Sequence, residues 1–295
     1  MRISREVCET LLGRDDVVGL GDELLEGPGN TGIEAKGVER PHDGHDRQPN
    51  LPVVARVRTL PQAAAWIDRV GLALLFPKAD VVLPSLWEQV NGSPLENWAV
   101  RDVDGTFVGW TRELAFLWRT KDELPGRRLA CVGKHLARVV ACISPAYVPT
   151  LVAAAGPQEL DGVEAAVVDA VRENGPLTAP QLRHLLGLEK KDVERTLALL
   201  HRRLVLTHSH LVEDGDGWGK LAHELLERKW QLPKRLPAQE DARRTLARCV
   251  LAAAGELTAA DLGGALGWRR TEAERVLDDV AESRDADGYR IWAAP

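Results

Sequence analysis

An internal repeat constrains the fold of this 295-residue chain more than any other feature. Residues 175–187 (GPLTAPQLRHLLG) recur 80 positions later as residues 255–267 (GELTAADLGGALG). The match continues in phase, because Glu194-Arg195 corresponds to Glu274-Arg275. Apolar segments of helical period precede and follow both copies. Such a repeat decides the architecture, because each copy is one supersecondary unit.

Each copy, together with the apolar segments before and after it, predicts three short helices. Thr178 and Thr258 hold N-cap positions, and Gly187 and Gly267 stand where a left-handed helix end is favoured. Three short helices followed by a polar, glycine-containing hairpin are typical of a winged helix-turn-helix. We therefore expect a mainly α-helical protein with small β content. Tandem winged helix-turn-helix domains follow a tryptophan-rich mixed α/β centre.

The predicted domains are an N-terminal region (1–156), a winged helix (157–230) and a second winged helix (238–295). The N-terminal region contains a faint third copy at residues 3–13, which is either degenerate or coincidental. A Gly-, Pro- and His-rich loop follows at 22–52, and then the centre with Trp87, Trp98, Trp110 and Trp118.

Composition limits the function classes. The four cysteines are scattered and form no C-x-x-C pair, which favours reduced thiols in the cytoplasm. No apolar run reaches the length of a membrane span, so we expect no membrane contact. The formal net charge of −6 has the wrong sign for strong nonspecific DNA binding. Any DNA contact therefore depends on a local basic patch.

The helix that follows the first copy carries such a patch. An apolar stripe formed by Val193, Leu197, Leu200 and Leu204 leaves Lys191, Arg195 and Arg202 on the opposite face. Lys190 and Arg203 lie beside this face, and His201 is next to its end. In winged helices this helix enters the major groove, where arginine reads guanine and lysine holds phosphate. The alternative is an ordinary solvated basic face.

The second copy differs in charge. Its third helix shows Thr271, Arg275, Asp278 and Glu282 on the outer face, and the carboxylates would repel phosphate. We expect this last unit to pack against the rest of the chain or to mediate self-association.

Four motifs of the centre carry a family resemblance: LLFP at 74–77, LPSLWE at 83–88, WRTKDELP at 118–125 and GK at 133–134. With them the chain resembles the AlkZ-related winged-helix family over roughly residues 59–230. That family includes DNA glycosylases that excise alkylated and crosslinked bases. The resemblance implies tandem winged helices, contact with double-stranded DNA and a context of DNA repair.

The catalytic motif of that family, Gln-aliphatic-Gln or Gln-aliphatic-Asp, does not occur in this sequence. The nearest triplet is Gln89-Val90-Asn91, and asparagine cannot act as a general base. The candidate catalytic residues are Glu88, Gln89 and Asp122, with Lys134 as a phosphate contact beside the close backbone approach at Gly133. The tryptophans either stack on an extruded base or fill a core between small domains.

Two histidine pairs suggest metal binding: His42 with His45, and His208 with His210, for which His223 is a possible third ligand. We favour instead a wing strand that brings His208 and His210 near backbone phosphate, with the wing turn at 215–217, and we expect no metal and no cofactor. Three functions stay open. The protein is a noncatalytic DNA-binding protein, a DNA glycosylase acting on alkylated or crosslinked bases, or a winged-helix transcriptional regulator or protein-interaction module.

Overall fold

The computed structural model describes residues 56–93, 98–213, 219–286 and 289–293. The faint third copy, the loop at 22–52, the pair formed by His42 and His45, and the wing turn at 215–217 lie outside these ranges. Helices dominate the described part, and every strand pair in it is antiparallel. Within the same ranges, no helix is long and apolar enough to cross a membrane. The expectation of a mainly α-helical chain with small β content is confirmed.

The centre is a small sheet with helices around it. Thr59 caps the first helix, and Gly71 ends it with a φ of 77°. The elements of the centre are α1 (Leu60–Val70), β1 (Leu72–Leu74), α2 (Leu86–Asn91), β2 (Ala99–Arg101), β3 (Phe107–Trp110), α3 (Arg112–Gly126), β4 (Cys131–Leu136), β5 (Val139–Ile143) and α4 (Val148–Ala155). The strands form one sheet in the order β1-β5-β4 and a separate β2-β3 hairpin.

Two hairpins shape the centre. The β2-β3 hairpin turns at Asp102 to Gly105, where Asp102 Oδ1 accepts hydrogen bonds from the amides of Asp104 and Thr106 at 3.0 and 2.8 Å. The strands β4 and β5 form the second hairpin. Ala137 and Arg138 both adopt positive φ at its turn.

Each copy of the repeat folds into three helices followed by an antiparallel hairpin. The first unit contains α5 (Gly162–Asn174), α6 (Ala179–Leu186), α7 (Lys190–Arg202), β6 (Leu206–Val212) and β7 (Lys220–Leu225), and the short α8 (Leu226–Trp230) follows. The second contains α9 (Gln239–Ala254), β8 (Glu256–Leu257), α10 (Ala259–Leu266), α11 (Arg270–Asp278), β9 (Glu282–Ala286) and β10 (Tyr289–Ala293). Gly187 and Gly267 are left-handed at equivalent helix ends, with φ of 63° and 75°.

The hydrophobic cores show which parts of the chain pack together. The first unit has its own core, which includes Val193, Leu197 and Leu200 from the apolar stripe of α7. The second unit shares one continuous core with β1, β4, β5 and α4 of the centre, so Leu246 and Leu72 belong to the same cluster. The expectation that the last unit packs against the rest of the chain is thus confirmed.

Candidate functional site

The exposed side of α7 carries three cations. Lys191, Arg195 and Arg202 are exposed, whereas Val193 and Leu200 on the opposite side have no solvent exposure. We call these three cations the basic face. Arg195 forms a 3.3 Å ion pair with Asp192, and its side chain remains 75% exposed. The basic face is therefore accessible to an anionic partner.

The two neighbouring cations, Arg203 and Lys190, pair with carboxylates of the same unit. Arg203 donates to the carboxylate of Glu164 at 2.6 Å and to the carbonyl of Glu159 at 2.9 Å. Glu164 is almost fully buried, so Arg203 neutralises a carboxylate that would otherwise lack a counterion. Lys190 Nζ lies 3.8 Å from the carboxylate of Glu194. The structure thus assigns Arg203 to the stability of the first unit.

In the second unit, arginines pair with carboxylates of the same unit. Arg275, the counterpart of Arg195, forms a 2.5 Å ion pair with Glu240. Other arginines of this unit pair with carboxylates at 2.8 and 3.2 Å: Arg243 with Glu272, and Arg244 with Asp279. The two copies therefore share a fold but present different charge to a partner.

The candidate catalytic residues of α2 have structural contacts. Oε2 of Glu88 accepts from the amide of Ser85 at 3.0 Å and from its hydroxyl at 2.7 Å, and the amide of Glu88 donates to that hydroxyl. This reciprocal pair is a capping box that starts α2. The backbone carbonyl of Gln89 accepts from the amide of Val57 at 3.0 Å. Glu88 is therefore committed to the helix cap.

Asp122 lies in a different setting, on α3 where that helix packs against β6. Its Oδ1 is 2.5 Å from Lys121 Nζ, and the two side chains are only 16% and 13% exposed. Lys121 also lies over the ring of Trp118, 4.9 Å from its centroid. A carboxylate, an ammonium group and an indole thus meet at a partly covered surface.

The four tryptophans of the centre divide into two kinds. Trp87 is 1% exposed and belongs to a hydrophobic core, so it fills a core and has no face free to stack on a base. Trp98 and Trp110 are half-buried on the β2-β3 hairpin, with ring centroids 5.1 Å apart. Trp118 is also half-buried. Three aromatic faces therefore remain near the surface.

Four histidines meet where the first unit contacts the centre. His201 ends α7, His208 and His223 are direct partners across β6 and β7, and His135 comes from β4. His201 Nε2 and His223 Nδ1 are 2.9 Å apart, and the rings of His135 and His201 stack at 5.3 Å. We call His201, His208 and His223 the histidine cluster. The sequence predicts that His201 lies next to the basic face, but the ring of His201 is buried.

Lys134 and Gly133 also face this region. Burial lowers the pKa of His201 and of His208 well below the ordinary value, and the charge of Lys134 adds to that effect. A Cβ on Gly133 would lie 2.4 Å from Nδ1 of His201, so glycine is required by the histidine packing. The close backbone approach at Gly133, which we expected beside a phosphate contact, is thus made to the ring of His201. His210 is exposed and contacts Ser209 Oγ at 3.1 Å.

Burial also sets the protonation of the other two histidines. The pKa of His135 and that of His223 both fall to about 4, mainly because the charged ring loses its hydration. All four rings are therefore neutral at pH 7, and each offers a ring nitrogen lone pair.

Comparison with known proteins gives two matches. A family model described as "DNA glycosylase AlkZ-like" matches residues 105–295. A solved structure, Streptomyces sahachiroi DNA glycosylase AlkZ, is similar at 15% identity with a TM-score of 0.42. The similarity covers 81% of this chain and 66% of the solved chain, so this protein spans about two thirds of that relative's length. No curated protein matches the sequence.

Proposed function

Because this chain belongs to the AlkZ-like DNA glycosylase family, we propose that it binds duplex DNA in DNA repair through the basic face of α7. The order of three helices and a hairpin in residues 157–230 and 238–295 supports two tandem winged helices. In that fold the third helix enters the major groove and adjacent cations hold the phosphates. The family resemblance supplies the repair context, and a cytoplasmic location stays a prediction.

The contrast between the two repeat units carries this proposal. Lys191, Arg195 and Arg202 are exposed on one side of α7. The equivalent positions of the second unit hold Thr271, Arg275 and Glu282, and Arg275 is paired with Glu240. Two units of one fold thus differ in charge at the surface that a winged helix uses for DNA. A chain with a net charge of −6 needs such a local patch to bind phosphate. Self-association through the second unit stays a prediction.

Fluorescence anisotropy with a labelled duplex tests this function. We expect binding at low salt that weakens steeply as salt rises, because each neutralised phosphate releases counterions. Competition with single-stranded DNA of the same length distinguishes the duplex from nucleic acid in general. Binding that is insensitive to salt, or that prefers the single strand, would contradict duplex recognition by the basic face.

A second candidate function is excision of a damaged base, and the position of Asp122 favours it. Base removal needs an extruded nucleotide beside a carboxylate or a positioned water, with aromatic faces to hold the base. Asp122 combines a partly covered carboxylate with Lys121 and the indole of Trp118. Glu88 is less suited, because both its partners at Ser85 hold it in the helix cap.

Release of an alkylated base from a duplex, detected as abasic sites, tests this candidate. Asp122→Asn should reduce the rate by at least about 100-fold, the smaller end of the range for a lost general acid or base. Glu88→Gln is the matched control and should keep the activity once its folding is verified by circular dichroism. Equal rates for the wild type and Asp122→Asn would refute the role of Asp122.

A further inference from the structure

The histidine cluster is used by neither proposed function, yet it has the composition of a metal site. His201 comes from α7, His208 from β6 and His223 from β7, and one ring nitrogen of each lies within 4.8 Å of the others. His201 is 2% exposed and His223 8%, whereas His208 is half-buried, so the three rings meet in a largely covered place. Neutral imidazole nitrogens are preferred ligands of divalent transition metals.

We propose that His201, His208 and His223 bind one divalent transition-metal ion of the zinc class. Two nitrogens on one tetrahedral zinc, each at 2.0–2.1 Å from the metal, lie about 3.3 Å apart. His201 Nε2 and His223 Nδ1 are already 2.9 Å apart, and an inward movement of His208 would complete the triad. Three protein ligands leave a fourth position for water or an anion.

An unpartnered ring nitrogen of His208 supports a missing ligand. Nδ1 of His208 is buried and has no hydrogen-bond partner among the described residues; Nδ1 of His201 also has none, but it packs against Gly133. Buried polar atoms in folded proteins are nearly always paired, so each exception needs an explanation. A bound cation would provide one for His208, whose ring makes T-shaped contacts with both other members of the cluster.

An outer layer holds the cluster in place. Nδ1 of His135 donates to the backbone carbonyl of His201 at 2.7 Å, and its Nε2 lies 3.2 Å from Thr207 Oγ1. The ring of His135 stacks on that of His201 with 14° between the planes. Such groups orient metal ligands, and their loss typically weakens metal binding by 10–100-fold.

Isothermal titration of the chelator-treated full chain with zinc tests the proposal, with cobalt absorption as a second readout. We expect one equivalent bound and the visible absorption of tetrahedral cobalt. His208→Ala and His223→Ala should each weaken binding at least tenfold. His210→Ala is the matched control, because His210 lies in the same strand as His208 but is exposed, and it should bind as the wild type does.

Circular dichroism decides whether a variant has kept its fold, and His208→Asn replaces any alanine variant that has not. The proposal is overturned if the wild type binds no stoichiometric zinc or cobalt. It is equally overturned if folded His208 and His223 variants keep the wild-type affinity. No DNA is present in this titration, so its outcome is independent of the proposed function.

Discussion

The basic face of α7 makes a quantitative prediction about the salt dependence of DNA binding. The perturbation is the triple change Lys191→Ala, Arg195→Ala and Arg202→Ala. All three side chains are exposed, and the ion pair between Arg195 and Asp192 is at the surface. An exposed pair contributes at most about 1 kcal/mol, so the free energy of unfolding should change by no more than about that amount.

The magnitude follows from the number of phosphates neutralised. Each contact adds about 0.9 to the slope of log K against log salt, so losing three lowers the slope by about 2.7. Raising salt from 50 to 200 mM should then weaken wild-type binding about 40-fold more than it weakens binding by the triple variant. The assay is anisotropy of one labelled duplex at both salt concentrations.

Arg275→Ala provides the matched control, because Arg275 is equivalent to Arg195 but has Thr271 and Glu282 in place of the two other cations of the basic face. This variant should keep the wild-type slope. If the folded triple variant kept the wild-type slope of log K against log salt, the basic face would not bind DNA. An equal loss of slope in Arg275→Ala would contradict the difference between the two units.

Three further predictions concern stability, each measured by urea denaturation. Arg203→Ala should lower the free energy of unfolding by about 2 kcal/mol, because Glu164 would stay buried without its partner, and should leave the salt slope of DNA binding unchanged. Leu200→Ala should cost about 2–5 kcal/mol, because Leu200 is fully buried in the core of the first unit, whereas Leu185→Ala at an exposed position of α6 should cost under about 1 kcal/mol. The pKa of His135 falls to about 4 in the folded chain from its ordinary 6.5, so unfolding takes up a proton between these values. With chelator present, stability should therefore fall as pH drops from 6.5 to 4, by about 3 kcal/mol for this group, and His135→Asn should flatten that dependence. A cost for Leu185→Ala equal to that of Leu200→Ala, or a pH dependence unaltered by His135→Asn, would contradict these assignments.

Local signals predict the elements of the repeat because they act within one turn of chain. Thr258 caps α10 through a reciprocal contact with Asp261, and Gly267 ends that helix in the left-handed region. The apolar stripe of α7 predicts its buried side for the same reason, since helical period alone selects the residues that face the core. The opposite side, including the basic face, follows from the same pattern.

The histidine cluster depends on contacts that no local signal reports. His201 lies in the last turn of α7 beside the exposed Arg202, but β4 packs against α7 and the ring of His201 is buried. His208 and His223 meet because β6 and β7 pair in a register set by a hairpin, while His210, two residues away, stays exposed. His208 and His210 therefore lie in different environments, and the ring partner of His208 is His223. The partner of Arg203 is likewise set by tertiary packing, whereas the cap made by Glu88 follows from its local spacing from Ser85.

Hydrogen–deuterium exchange of the chain with and without duplex DNA tests whether α7 contacts the DNA. We expect duplex to slow exchange in α7, over Lys190–Arg202, and to leave α11, over Arg270–Asp278, unchanged. Protection confined to α11, or bound duplex that protects neither helix, would contradict DNA binding through the basic face.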